Sequence, residues 1–366
     1  MSNRLSWLSG ALVAATLILT AGASAAEPVP AAGRKVVLDL AGDRFQWKIV
    51  EAPVAAPGPH QVLMRVRAVA LNRGDVEVLD PKFGAKAGLV VASDAAGEIV
   101  AVGSEVRDFR VGERVNTLYF RNWTDGPPSG EKLAATHGAT VDGVLADYLV
   151  LDDTAITAMP NGLSFEEAAT LPTAGLTAWM AVNGHRALRA GDVVVVQGTG
   201  GVSTLALQLA TALGGRVIAT SSSDGKLARA RALGAEGGIN YRTTPAWSAR
   251  VLELTGGHGA DVVVDVVGKA ALPESLQSLA YGGTLSLVGG LTGFDGQVPA
   301  IQLLLKTARV QGICVGSRAD YRRMAEFIGQ REFHPAIDRV FPLEEYAAAL
   351  AHMESGDFVG KIVLTL

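Results

Sequence analysis

Cysteine is almost absent: the 366-residue chain has one, Cys314. A single thiol forms no internal disulfide, no four-cysteine structural zinc site and no zinc centre with two cysteine ligands. Charge is sparse as well. Only 19% of residues are charged, and 32 Lys plus Arg against 36 Asp plus Glu leave a formal net charge of −4. Without a basic excess or a long basic run, nucleic acid is excluded as a main partner. The six histidines (His60, His137, His185, His258, His334, His352) are scattered, which predicts surface positions rather than a catalytic cluster. No G-x-S-x-G elbow or Ser/His/Asp order stands out. What is abundant is apolar: 49% of residues are hydrophobic, enough for a well-buried core in one large or two ordinary domains.

The amino terminus reads as a separate object. Arg4 is followed by an uncharged apolar run over residues 8–19 and by the small-x-small triplet Ala23-Ser24-Ala25. Charged start, short apolar middle and small-residue end describe a secretory signal over residues 1–26. The alternative is a retained anchor, but the run is shorter than the roughly 20 apolar residues that span a bilayer. Cleavage would remove Arg4, the one charge before Glu27, and take the net charge from −4 to −5. The expected location is exported, periplasmic or secreted, with the mature chain free of membrane. If the signal does not function, the location is cytoplasmic.

The remainder changes grammar midway. Residues 62–69, 97–103, 111–115 and 143–151 have strand character, and residues 120–140, rich in Gly, Pro, Asn, Asp and Ser, read as a long loop. From Ser164, which precedes Glu166 and Glu167 and predicts a helix starting at Phe165, helices alternate with short apolar strands. These strands cover residues 193–196, 217–220, 262–267 and 284–288. Uninterrupted Val/Ile strands alternating with helices mark a parallel sheet covered on both faces.

Gln197-Gly198-Thr199-Gly200-Gly201-Val202-Ser203 links one such strand to an apolar helix. A glycine turn there lets backbone approach a pyrophosphate, whose charge sits at the helix N-terminus. Ser203 occupies the third glycine position of the usual pattern and is small enough to keep helix and strand close. After the next strand, the place of the usual ribose-binding carboxylate holds Ser221-Ser222-Ser223, with Lys226 on the following turn. Hydroxyls plus a cation suit a 2′-phosphate, so NADP(H) is expected over NAD(H). The competing reading of the same residues is a polar turn capping the next helix.

The segments LNRGD (71–75), ASDAAGEIVAVG (92–103), FEEAATLPTAGLTAW (165–179), VVVQGTGGVSTLALQ (194–208) and IATSSSDGKLARARALGA (218–235) occur in this order. Together they resemble the medium-chain dehydrogenase/reductase superfamily, in its zinc-independent alcohol dehydrogenase-like and quinone oxidoreductase-like branch. The resemblance runs from about Lys35 nearly to the C-terminus. It implies an α/β fold: a GroES-like β-rich catalytic domain at 33–157, a Rossmann doubly wound parallel sheet at 158–311, and a return to the catalytic domain at 312–366. It also implies a cleft between the lobes and a homodimer.

In the zinc-using branch the catalytic ligands are a Cys, the His of a Gly-His-Glu triplet, and a second Cys. The matching positions here are Asn72, the triplet Ala92-Ser93-Asp94, and Thr173, and the region of the structural zinc lobe, 120–137, has no cysteine. Neither zinc is expected. By the same resemblance, Asn72 faces the nicotinamide and could polarise a carbonyl, with Arg73 and Tyr119 as further catalytic candidates. Tyr119 has an equal alternative as a packing residue at a strand end. Asp75 and Asp94 are expected to serve as structural partners of arginines or backbone amides. Thr177 is placed at the nicotinamide ribose or ring, and Val267, Gly289 and Gly290 along the cofactor. Tyr241 and Lys226 are placed beside the adenosine phosphate, and Arg318 and Lys361 within reach of the cofactor phosphates or on the surface.

Two functions of different class follow. One is an NADPH-dependent reductase moving a hydride to a quinone, an enone or another carbonyl, with orientation and electrostatics supplied by the protein. The other is an exported dinucleotide-binding protein with little or no turnover, since a chain threaded out unfolded carries no cofactor with it.

Overall fold

The computed structural model describes residues 29–366, so the expected signal segment lies outside the described residues. Among them, no helix is long and apolar enough to cross a membrane. The chain opens with an antiparallel pair, β1 (Ala32–Ala41) and β2 (Arg44–Pro53), in full ten-residue register. β3 (Gln61–Ala70), β4 (Asp94–Val102), β5 (Arg114–Thr117), β6 (Tyr148–Asp152) and β7 (Ile156–Ala158) follow. These five join two C-terminal strands, β14 (Ile337–Pro342) and β15 (Lys361–Thr365), in one sheet of order β14-β15-β3-β4-β5-β7, with β6 also on β3.

Between them lie β8 (Val193–Gln197), β9 (Arg216–Ser221), β10 (Gly237–Asn240), β11 (Ala260–Asp265), β12 (Leu279–Leu287) and β13 (Arg309–Gly312). All pair in parallel in the order β10-β9-β8-β11-β12-β13. The order reverses between β8 and β11, the position at which doubly wound sheets hold a dinucleotide. β8 shows why its sequence reads as a run of valines. Val194 and Val196 join the core cluster containing Leu205 and Leu209, while Val193 and Val195 join the opposite one containing Leu272 and Leu276. Each fully buried valine contributes roughly 1.5–3 kcal/mol.

The seam between the lobes differs from the expected boundary at 157/158. Ser164 and Glu167 form a reciprocal capping box that starts the helix Phe165–Ala169. That helix packs on β3 and β4, so it belongs with the catalytic sheet. Pro172 lacks an N–H and interrupts the helical ladder, which widens into a π turn, Leu171–Gly175, before the helix Leu176–Asn183 begins. This second helix packs on β11, β12 and the helix Gly201–Ala212, and the seam therefore falls at the π turn. At the far side, residues 313–317 lead from the edge strand β13 into the helix Arg318–Gly329. Tyr321 on that helix is fully buried and donates its hydroxyl to Asn116 Oδ1 of β5 at 2.7 Å, tying the returning chain to the catalytic sheet.

Candidate active site

The glycine turn stands at the C-terminal end of β8. Gly198 has φ of +74°, a backbone conformation that disfavours side chains, and its N–H donates to the Thr220 carbonyl at 2.8 Å. Gly200 is the N-cap of the helix Gly201–Ala212 and offers no side-chain cap, so the amides of Gly201 and Val202 face outward without a local partner. Ser203 is buried and donates to the Gln197 carbonyl at 2.6 Å, which stitches helix to strand where a third glycine is usual. Asp265, at the end of β11, accepts from the amides of Val267 and Gly268 at 2.9 and 2.8 Å and from Ser275 Oγ at 2.7 Å. Gln197 Nε2 donates to the same hydroxyl at 2.6 Å, so one polar network holds the ends of both central strands. Gly289 and Gly290 follow β12, and the Gly289 amide points to the Asp265 carbonyl at 3.3 Å. Sequence reasoning missed Asp265 and Ser275, although a carboxylate closing a strand directly after three valines is a visible signal.

At the end of β9, Ser221 is buried and its carbonyl accepts from the Tyr241 amide at 3.1 Å, while the Tyr241 side chain is exposed. Ser222 is half-buried beside it. Ser223 is the N-cap of the helix Asp224–Ala232, so the capping reading holds for that serine. Lys226 folds across to the other lobe, donating to the Gly356 carbonyl at 2.6 Å and pairing with Asp357 at 3.5 Å.

The three positions that match zinc ligands converge in space. Asn72 donates through Nδ2 to Asp94 Oδ2 at 2.9 Å and to Ser93 Oγ at 3.2 Å. Thr173 donates to Asp94 through its hydroxyl at 2.5 Å and its backbone amide at 3.1 Å, and Ser93 Oγ lies 3.0 Å from Asp94 Oδ1. Ala92, just before this pair, has φ of +66°, and Gly138 and Gly143 pack against its backbone. Lys361 is buried, with its ammonium on Asn72 Oδ1 at 2.7 Å and on the Leu71 carbonyl. Asp75 caps the turn of residues 73–77 through the Asn72 amide at 2.6 Å. Burial pushes the Asp94 carboxyl above its ordinary range, against the pull of Lys361 and the hydrogen bonds from Asn72 and Thr173. Burial likewise raises Asp75 to about 7, opposed by the Asn72 amide and by Lys361, with Asp94 adding to the rise. Lys361 is lowered by burial and held up by Asp94 and Asp75.

This geometry corrects two expectations. Both Asn72 N–H groups are spent on Asp94 and Ser93, so in this arrangement the amide has no donor left for a substrate. Arg318 lies away from the glycine turn. It is buried over the Phe109 ring at 5.7 Å, its Nε and Nη2 atoms have no hydrogen-bond partner, and Asp108, Asp153 and Arg322 are its charged neighbours.

Arg73 is exposed and pairs with Glu77 at 3.4 Å along its own turn. Thr177 is buried on the helix Leu176–Asn183. Tyr119 sits edge-on to Phe120, 4.7 Å between centroids, and its hydroxyl has no partner among the described residues. Burial first, then the nearby Cys314, Asp94, Asp75 and Glu77, push its phenol up to about 12. His137 departs from the surface expectation: it is buried, its Nδ1 is 2.7 Å from the Asp142 carbonyl, and burial lowers it to about 4. The long loop after Tyr119 is organised rather than open, since Lys132 donates to the carbonyls of Asp125 and Pro127 at 2.7 and 2.9 Å.

Comparison with known proteins agrees with this architecture. Residues 58–161 match the family described as alcohol dehydrogenase GroES-like domain, and residues 201–330 that described as zinc-binding dehydrogenase. A zinc-type alcohol dehydrogenase-like protein of Schizosaccharomyces pombe is 38% identical over 317 residues, 84% of this chain and 91% of the relative. A crystal structure from Sinorhizobium meliloti 1021, assigned as an alcohol dehydrogenase, is 41% identical with a TM-score of 0.87, covering 93% of this chain and all of that one. An NAD-dependent alcohol dehydrogenase is 34% identical with a TM-score of 0.80, covering 91% and 99%. A crotonyl-CoA carboxylase/reductase variant solved with NADP is 25% identical at TM-score 0.80, covering 93% and 96%. The chain belongs to the medium-chain dehydrogenase/reductase superfamily and is an NAD(P)-dependent oxidoreductase of the alcohol dehydrogenase-like type.

Proposed function

We propose that this oxidoreductase works without zinc, prefers NADPH, and delivers a hydride to a quinone, an enone or another carbonyl compound. The observation that carries this is the convergence of Asn72, Ser93, Asp94 and Thr173 into one hydrogen-bonded cluster beneath a buried Lys361. One carboxylate, two hydroxyls and an amide, with an ammonium already in contact, do not fit a zinc site, which takes thiolate, imidazole or several carboxylates. Among the described residues, no three His, Cys, Asp or Glu side chains gather as for a metal ion.

The dinucleotide fits. The uncapped amides after Gly200 would hold its pyrophosphate, Lys361 stands beside Gly201, and Ser221, Ser222, Lys226 and Tyr241, at and after the end of β9, would flank the adenosine end. When bound, the dinucleotide supplies the hydride. The chain's own work is to orient the acceptor and stabilise the charge that develops on its oxygen. Tyr119, protonated at neutral pH and with an unpaired hydroxyl, is the side chain suited to donate there. A delocalised acceptor such as a quinone or enone needs less polarisation than an isolated carbonyl, which suits a site lacking a Lewis acid.

Residues 1–26 support export, and an exposed apolar strip supports a homodimer. Leu291, Phe294, Ile301, Leu304 and Leu305 are all exposed in the stretch of chain between β12 and the edge strand β13.

Titrating the purified chain with NADPH and NADH by fluorescence, followed by a panel of quinones, enones and aldehydes, tests the reading. NADPH binding at micromolar levels with chelator-resistant turnover is expected, reduced by Tyr119→Phe. Binding without turnover of any acceptor would instead favour the dinucleotide-binding alternative, and zinc-dependent turnover would refute the zinc-free site.

A further inference from the structure

Lys361 connects two regions that the sequence separates by 289 positions from Asn72. Its stem lies against the dinucleotide turn so closely that a Cβ added to Gly201 would stand 2.5 Å from Lys361 Cδ and 3.3 Å from Cγ. Its backbone is fixed at the start of β15, with its N–H on the Ala336 carbonyl at 2.9 Å, and the preceding Gly360 N–H reaches the Thr199 carbonyl at 3.0 Å. From that anchored stem the ammonium reaches the cluster at the zinc-ligand positions and grips the Leu71 carbonyl and Asn72 Oδ1.

The choice of atom matters. A carboxamide presents an acceptor on one side and two donors on the other, and an ammonium can only donate. With Oδ1 turned to Lys361, Nδ2 must face Ser93 and Asp94, and its two N–H groups satisfy both. Asp94 then holds Thr173 by side chain and backbone and Ser93 by its hydroxyl. If Asn72 flipped, its amide nitrogen would face the ammonium and its oxygen would face a carboxylate, two clashes of like polarity in a buried site.

We propose that Lys361 is a positioning residue for the hydrogen-bonded cluster of Asn72, Ser93, Asp94 and Thr173. Its ammonium orients the Asn72 amide and, through it, Asp94, Ser93 and Thr173, from a stem seated on the dinucleotide turn. Events at the turn are thereby felt at the reacting end: a displaced stem takes the ammonium from Asn72, and the amide loses the contact that defines its orientation. This extends the dinucleotide-dependent reading above, on which it rests, and it goes beyond a role for Lys361 at the cofactor phosphates alone. The third N–H of the ammonium remains for such a phosphate, so the two roles coexist.

The test is a double-mutant cycle between Lys361→Met and Asn72→Ala in the full chain. Lys361→Met is expected to lower kcat at saturating NADPH at least tenfold, and to lower it no further once Asn72→Ala is present. Lys361→Arg, which keeps a cation and donors, is expected to restore part of the loss. Recovery of full kcat at saturating NADPH, with only the KM for NADPH raised, would assign Lys361 to the phosphates alone and overturn the proposal. Independent, multiplying losses in kcat would overturn it as well. The same cycle is run on thermal unfolding of the cofactor-free chain, where non-additive shifts are expected and additive ones refute the contact. That arm decides the matter even if the wild type binds no NADPH or reduces no acceptor, results that would sink the functional reading instead. Should Lys361→Met fail to fold, Lys361→Ala, which also removes the donor toward Asn72 and leaves room for water beside Asp94, takes its place in both arms.

Discussion

Thr173 holds Asp94 twice, by its hydroxyl at 2.5 Å on one carboxylate oxygen and by its backbone amide at 3.1 Å on the other. The residue lies in the π turn that separates the lobes, so this contact pins the seam to the start of β4. Thr173→Val keeps the shape and removes one donor to a buried carboxylate. A destabilisation of about 1–3 kcal/mol is expected, with a fall in kcat because Asp94 also anchors Asn72. Chemical denaturation and steady-state kinetics on the variant check both. Unchanged stability would show that the carboxylate draws no net support from the hydroxyl.

Asp75 and His137 set opposite pH dependences. Asp75 is raised to about 7 from 3.8, so the folded chain retains a proton that the unfolded chain releases. Its contribution to stability is full below pH 3.8 and is lost as pH rises through about 7. His137 is lowered to about 4 from 6.5, so its contribution is full above pH 6.5 and is lost as pH falls through about 4. Over the shared window the two slopes oppose each other. Asp75→Asn is expected to leave melting temperature rising more steeply with pH between about 4 and 6.5 than in the wild type. His137→Asn is expected to leave it falling more steeply. Parallel profiles for wild type and both variants would contradict the two assignments.

How much of this was legible depends on the range of the forces involved. β8 and β11 could be read because a strand buried on both faces needs apolar side chains at every position, and the glycine turn because backbone geometry is a local demand. The β1–β2 pair carries a legible signal, since exposed Arg44, Gln46 and Lys48 alternate with buried Phe45 and Trp47 in the period-two pattern of a half-buried strand; its pairing partner is the part no short window encodes. The π turn hides in Leu171-Pro172-Thr173-Ala174-Gly175, where only the proline hints at an interrupted helix. Matching zinc-ligand positions identified Asn72, Ser93, Asp94 and Thr173 as neighbours, yet their hydrogen-bond directions depend on Lys361, which the topology delivers from the far end of the chain. Arg318 and His137 are buried by tertiary packing that no short window encodes.

Cofactor choice is tested at Lys226. In the structure its ammonium is engaged by Gly356 and Asp357 of the opposite lobe, so a 2′-phosphate must compete with those contacts. A charge-assisted hydrogen bond contributes about 1.5–3 kcal/mol. Lys226→Met is therefore expected to weaken NADPH binding at least tenfold while NADH affinity stays within a factor of about two. Fluorescence titration with both dinucleotides measures the difference. Equal losses for the two would remove the 2′-phosphate role and leave Lys226 as a bridge between lobes.

Gly201→Ala separates function from folding at the turn. Alanine is the better helix former by about 1 kcal/mol, and φ at this helical position is not positive, so backbone strain is no obstacle. The obstacle is the Lys361 stem 2.5 Å from the new methyl group, with Ala174 Cβ at 3.6 Å on another side. Because the Lys361 backbone is fixed in β15, the side chain must yield and its ammonium must leave Asn72. The expected result is a melting temperature within a few degrees of the wild type, NADPH affinity reduced at least tenfold, and a lower kcat even at saturating NADPH. Retention of wild-type affinity and kcat would mean that the lysine stem finds another path to the same contacts, and that neither the stem nor the phosphates require a bare glycine at 201.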